Sequence, residues 1–279
     1  MKKDFQNWCI NPDRKTLVMG IINVTPDSFS DGGKYVKIKN AINHAKKMVD
    51  DGADIIDVGG ESTRPGADEV SISEELRRVI PVVESIRSNF PDLLISIDTT
   101  KSVVAQKAIK AGADIINDVS GLNSDTEMVE VVANLKVPII IMHMKGNPRN
   151  MQINPKYKNL IGEITSFFEK KIKIATELGI NRNLIIIDPG IGFGKTINHN
   201  FEIISKLKEF SKLNLPIMIG PSRKSFIGKT LNLPVESRIE GTSAAITASI
   251  LNGANIVRVH DVLEMKRVAE ITEKIRMMA

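Results

Sequence analysis

Polar and charged side chains with chemical capacity recur at one kind of place in the chain, immediately at or after a short apolar run. Asn23 follows "LVMGII". Asp57 ends "DIID" ahead of "GGESTRPG", Asp98 and Thr99 close "LLISID", and Asn117 with Asp118 close "DIIND". His143 and Lys145 follow "VPIIIM", and Asp188 opens "PGIGFGK" after "LIII". "GPSRKSFIG" follows "LPIMI", and "NIVRV" carries Arg258 and leads to His260.

These residues divide into two chemical groups. Asp98, Asn117 and Asp188 are rich in acceptors and sit at the ends of otherwise apolar segments. A buried carboxylate is costly unless it meets donors, so a cavity walled by two of them suits a planar ligand that presents several N–H groups. A 2-amino-4-oxo-pyrimidine edge has that pattern, and each charge-assisted bond would contribute roughly 1.5–3 kcal/mol. For any single one of these residues, capping the following helix is the competing role. Thr63, Arg64, Lys224, Arg258 and His260 form the second group, beside Ser- and Gly-rich loops. Hydroxyls, arginine forks and backbone N–H groups together suit a diphosphate. "GIGFGK" lacks the spacing of a nucleotide phosphate loop, and Lys224 as a Schiff-base lysine would need a carbonyl substrate that nothing else demands. No Ser-His-Asp order, His metal cluster or paired-glutamate arrangement stands out. His44 and His199 have no evident partner in the sequence and read as surface residues.

The elements that must hold these groups follow from the apolar runs. Eight short runs alternate with helical patterns over 37–51, 73–89, 101–111, 124–135, 157–179, 199–213, 235–252 and 262–277. Eight β/α units in one uninterrupted series predict a single-domain (β/α)8 barrel over residues 17–279, with a doubly wound sheet as the alternative. A quasi-repeat favours the barrel: "DGADIIDVGG" at 51–60, "AGADIINDVS" at 111–120 and "NGANIVRVHD" at 252–261 each set a helix-ending glycine before a strand with a polar end. In a barrel, those strand ends converge on one mouth. Residues 1–16 form an extension whose role the sequence leaves open.

Bulk properties narrow the function classes. With 42% hydrophobic and 25% charged residues, the chain has the makings of a large core. Its formal charge of +5 comes from 38 basic and 33 acidic residues without a dense basic run, and aromatics are only 4%, which argues against nucleic acid as a partner. The single cysteine, Cys9, rules out an intrachain disulfide and fits a reducing compartment. No apolar segment approaches 18 residues and the N-terminus has no signal-peptide core, so a cytoplasmic protein without membrane attachment is expected.

Taken together in their order, "MGIINVTPDSFSDGG", "GADIIDVGGESTRPG", "ISIDT", "INDVSG", "MHMKGNP", "DPGIGFGK", "SRKSFIG" and "VRVHDV" closely resemble the bacterial dihydropteroate synthases, from about Leu17 to Val262. The resemblance implies a TIM barrel, a homodimer and an enzyme of folate biosynthesis. Such an enzyme condenses 4-aminobenzoate with dihydropterin diphosphate and releases diphosphate, using Mg²⁺. It implies that Asp98, Asn117, Asp188 and Lys224 hold the pterin ring, and that Thr63, Arg258 and His260 hold the diphosphate, with Asn23 at the metal end. Phe29, Arg64, Pro65, Phe193, Lys224 and Ser225 would shape the aminobenzoate pocket. Arg258, His260, Lys224 and Asp31 would be the catalytic set, with the first two loops closing as a lid. The runner-up is a non-catalytic pterin-binding or folate-binding barrel of a corrinoid methyl-transfer system.

Overall fold

The computed structural model describes residues 2–24, 34–62 and 66–278. Eight parallel strands form the centre: β1 (Leu17–Asn23), β2 (Ile55–Gly59), β3 (Leu94–Asp98), β4 (Ile115–Asp118), β5 (Ile139–Met142), β6 (Ile185–Asp188), β7 (Met218–Ile219) and β8 (Ile256–Val259). Their spatial order is β6-β5-β4-β3-β2-β1-β8-β7, and a parallel bridge between Ile187 and Ile217 joins the two ends into a ring. The expected (β/α)8 barrel is the observed fold.

The strands are almost wholly apolar because both of their faces are covered. On the outer face, residues such as Val18, Ile56, Ile97, Ile139 and Val257 pack against the surrounding helices. On the inner face, one residue from every strand meets in a second cluster: Met19, Ile55, Leu94, Ile115, Ile140, Ile186, Met218 and Ile256. Side chains alternate along a strand, so residues two further on face inward again. Those positions read Ile21, Asp57, Ser96, Asn117, Met142, Asp188, Gly220 and Arg258. Five of these eight positions are polar, so the barrel interior turns largely polar one step toward the strand C-termini.

The helical ring comprises α2 (Lys34–Asp50), α3 (Ile72–Asn89), α4 (Ser102–Ala111), α5 (Met128–Leu135), α6 (Leu160–Glu177), α7 (Ile197–Ser205), α8 (Ser225–Leu231), α9 (Ile239–Leu251) and α10 (Val262–Arg276). The repeat glycines Gly52, Gly112 and Gly253 take φ of 95°, 120° and 100°, the left-handed turn that lets the chain leave a helix and enter the next strand. Several expected helices are shorter than their apolar patterns. Asn159 caps α6 by accepting from the Gly162 N–H at 3.1 Å, so that helix starts at Leu160. The pattern over 199–213 divides into α7 and a 3-10 segment, Leu207–Leu213.

The N-terminal extension, left without a role by the sequence, is a helix, α1 (Lys2–Ile10), that closes the barrel floor. Phe5 and Cys9 join the inner apolar ring, with Trp8 packed beside them and stacked on Phe5 at 5.3 Å. Arg14 folds back to donate to the Trp8 and Cys9 carbonyls at 3.1 and 3.0 Å, satisfying the helix's C-terminal end. Burial pushes the Cys9 thiol up to about 12, so it packs as an inert apolar group. Among the described residues no helix is long and apolar enough to cross a membrane. Phe5→Ala should lower stability in denaturant titration by about 3 kcal/mol while leaving ligand affinity at the opposite mouth unchanged. An unchanged denaturation midpoint would show that the floor does not depend on α1.

Candidate functional site

The polar layer is organised by one guanidinium. Arg258 points inward from β8 and reaches past β1, where the inward residue is the apolar Ile21. Its Nε donates to Asp57 Oδ2 at 2.6 Å and its Nη2 to Asp98 Oδ2 at 2.8 Å. Asn117 Nδ2 donates to the same Asp57 oxygen at 3.1 Å. Gly220 lies against the Arg258 side chain, where a Cβ would stand 3.6 Å from that of Arg258.

The fork leaves acceptors unused. Asp57 Oδ1, Ser96 Oγ and Asn117 Oδ1 are buried and have no partner among the described residues. Buried polar atoms are rarely left so, and three in one cavity mark a place for donors supplied from outside. Burial pushes the Asp98 carboxyl up to about 7, opposed by the Arg258 charge and reinforced by Asp57. Asp188 is also raised by burial, against the opposing pull of Lys224 and an N–H bond from Gly190 at 2.8 Å. Asp57 and Asp98 together hold the Arg258 pKa above its ordinary value despite burial, which alone would lower it.

A second wall comes from the loop after β6. Gly190, Gly192 and Gly194 alternate with Ile191 and Phe193 at φ of 71°, 81° and 64°. A Cβ at Gly190 or Gly194 would collide with the carbonyls of His143 or Lys145, so the loop lies directly on the segment after β5. Lys224 donates to the Ile191 carbonyl, and its Nζ lies 4.6 Å from the centre of the Phe193 ring. Burial lowers Lys224 to about 8, with Asp188 acting in the other direction. Behind this wall lie Lys195 and His143, both buried.

On the third side, His260 and Ser222 are joined through Nδ1 and Oγ at 3.0 Å, and the His260 N–H donates to the same hydroxyl at 3.2 Å. Arg223, in left-handed conformation at φ 55°, pairs with Asp261 through Nε and Nη2, each donating to one carboxylate oxygen. This pair binds the β7 loop to the β8 loop and so sets Lys224 and His260 in relation to one another. Ser225 begins α8 and is exposed. A cavity of about 770 Å³ opens beside Asp98, lined by Glu61, Thr99, Lys101, Ser120 and Asn147 among others.

The structure thus brings Asn23, Asp98, Asn117, Asp188, Phe193, Lys224, Ser225, Arg258 and His260 to one mouth, as their strand-end positions required. Phe29, Asp31, Thr63, Arg64 and Pro65 lie outside the described residues. Arg258 differs from the expectation in its partners: it belongs to the acceptor cluster in the barrel centre as well as standing near His260. Sequence reasoning placed Asp57 among the strand ends without giving it a role, and it missed Ser96. Ser96 falls two residues after the inward apolar Leu94, so strand parity alone would have found it. His199, expected at the surface without a partner, is half-buried and forms a capping box with Thr196 at the start of α7.

Among the described residues no group of three or more His, Cys, Asp or Glu could hold a metal ion. Asn23 offers one amide oxygen at the rim, a donor set that fits a hard cation arriving with phosphate ligands and not a resident metal cage. Chemically, the mouth combines a deep acceptor pocket, an aromatic and lysine wall, and a cationic exit.

Residues 19–260 match the family model described as "Pterin binding enzyme". The dihydropteroate synthase of Bacillus subtilis is 51% identical over 259 residues, 93% of this chain and 88% of the relative. A dihydropteroate synthase structure from Clostridium difficile, determined in the presence of pteroic acid, superposes with a TM-score of 0.89 at 45% identity, covering 94% of this chain and 97% of that one. One from Xanthomonas albilineans with 4-aminobenzoic acid gives 0.89 at 39% identity, covering 95% and 94%. The chain belongs to the dihydropteroate synthase family of pterin-binding enzymes.

Proposed function

We propose that this transferase joins 4-aminobenzoate to (7,8-dihydropterin-6-yl)methyl diphosphate, forming 7,8-dihydropteroate and diphosphate. The carrying observation is the set of unpartnered acceptors, Asp57 Oδ1, Ser96 Oγ and Asn117 Oδ1, beside Asp98 and Asp188 in the polar layer. The pterin edge supplies the donors that this layer lacks. Asp98, Asn117 and Asp188 take its ring N–H and amino groups, and Lys224 donates to a ring acceptor.

Held in this way, the pterin's methylene carbon faces the mouth and the diphosphate lies toward Arg258, His260 and the Thr63 loop. The aromatic amine is neutral at pH 7, so its lone pair can attack without a general base. Positive charge grows on the methylene as the C–O bond breaks, and negative charge accumulates on the departing oxygen. Arg258 and His260 stabilise that charge, and Phe193, Lys224 and Ser225 orient the amine with Phe29, Arg64 and Pro65. Asn23 would hold Mg²⁺ together with the substrate's oxygens, and the ion, when bound, neutralises leaving-group charge. Asp31 completes the catalytic set from the first loop. A homodimer and a cytoplasmic location belong to the same proposal.

Purified protein given both substrates and Mg²⁺ should release dihydropteroate and diphosphate in equal amounts. Folded protein that binds pterin but forms no product would favour the corrinoid-system binding barrel. Substrate order follows from the loops: 4-aminobenzoate should bind measurably in calorimetry only when pterin diphosphate or diphosphate is present, and equal affinity without them would contradict closure by the anion.

Asp98→Asn should weaken pterin binding about tenfold, since a charge-assisted bond is worth roughly 1.5–3 kcal/mol. Arg258→Ala should slow turnover about 10²–10³-fold. It should also weaken pterin binding, because Asp57 and Asp98 would then face each other without a cation. The wild-type affinity should rise with pH through about 7 as Asp98 ionises, and fall above about 8 as Lys224 loses its charge. The acid limb should vanish in Asp98→Asn and the alkaline limb in Lys224→Met. Limbs that persist in both variants would assign the titration elsewhere.

A further inference from the structure

We infer that Lys195 is a positioning residue that fixes the Phe193 wall from behind and thereby sets affinity for the aromatic amine, an inference that rests on Phe193 lining the 4-aminobenzoate pocket. Lys195 is 3% exposed. Its Nζ lies 2.9 Å from the Phe193 carbonyl, 3.1 Å from His143 Nδ1 and 3.3 Å from the His143 carbonyl. Among the described residues no carboxylate bonds it directly. With all three directions occupied, it is unavailable as a nucleophile or a proton donor to the cavity.

The surrounding geometry shows what such a buried amine accomplishes. Four successive carbonyls of the β6 loop are each gripped by a side chain: Ile191 by Lys224, Gly192 by Gln152, Phe193 by Lys195 and Gly194 by Tyr157. The three glycines give this loop little side-chain packing of its own, so its shape depends on those grips. Lys195 holds the residue that carries the ring. Its second anchor, His143, is itself fixed, with its N–H on the Asp188 carbonyl at 2.8 Å and its ring edge-on to Phe167 at 5.0 Å. The lysine therefore ties the Phe193 backbone to the strand end that bears Asp188. A buried amine surrounded by neutral acceptors is a costly way to fill space, and an apolar residue of the same length would do that more cheaply. Geometry at the carbonyl is what the amine adds.

Steady-state kinetics on Lys195→Met, Phe193→Leu and the double variant test the inference. Lys195→Met should raise KM for 4-aminobenzoate about tenfold and change KM for pterin diphosphate less than twofold. In the Phe193→Leu background, Lys195→Met should add less than twofold, because the ring through which it acts is gone. Equal increases in both KM values, or fold-changes that multiply in the double variant, would overturn the inference and leave a general structural role. Phe193→Leu with an unchanged 4-aminobenzoate KM would instead show that the ring does not line the pocket, which removes the basis of the inference. Retained pterin diphosphate binding in calorimetry verifies folding. Lys195→Gln, which keeps donors for the carbonyls, should give a smaller rise in KM, and failure of both variants to fold would also overturn the inference.

Discussion

The mouth depends on a guanidinium shared between two buried carboxylates. Without Arg258, Asp57 and Asp98 would oppose each other in a medium that screens charge poorly. With it, two oxygens are satisfied while Asp57 Oδ1, Ser96 Oγ and Asn117 Oδ1 stay available. In the proposed reaction the same cation that preserves the acceptors also serves the leaving anion. A single residue would thus serve both recognition of the ring and departure of the diphosphate in that reaction.

The barrel makes that arrangement possible by dividing its interior into layers. Helix α1 and the apolar ring from Met19 to Ile256 fill the floor beneath the carboxylates. One step higher, most inward positions become polar, and Gly220 lies against Arg258 without a side chain of its own. The glycine-rich loop after β6 contributes a wall whose shape is imposed by surrounding side chains, with Lys224 in front and Lys195 behind. Stability and chemistry are therefore assigned to opposite ends of the same strands.

Much of this was readable from residue order. Apolar runs ending in Asp98, Asn117, Asp188 and Arg258 located the mouth, and the repeat glycines located the helix-to-strand turns. Strand parity would have added Ser96. Phe5, Trp8 and Cys9 have the spacing of one helical face, so α1 also left a signal, although the face's destination on the barrel floor did not. Pairings between distant segments were not readable. Arg258 with Asp57 spans 201 positions and Lys195 with His143 spans 52, and neither follows from local pattern. The 3-10 division after α7 and the capping role of His199 are likewise decided by packing that a period of 3.6 does not encode.

The central claim is that the orphaned acceptors of the polar layer are the pterin's partners. A crystal structure with a bound dihydropterin tests it directly. The ring should lie inside the mouth with its N–H groups on Asp98, Asp188 and at least one of Asp57 Oδ1, Ser96 Oγ and Asn117 Oδ1. A pterin seated outside the barrel, with those three atoms still unpaired, would contradict it.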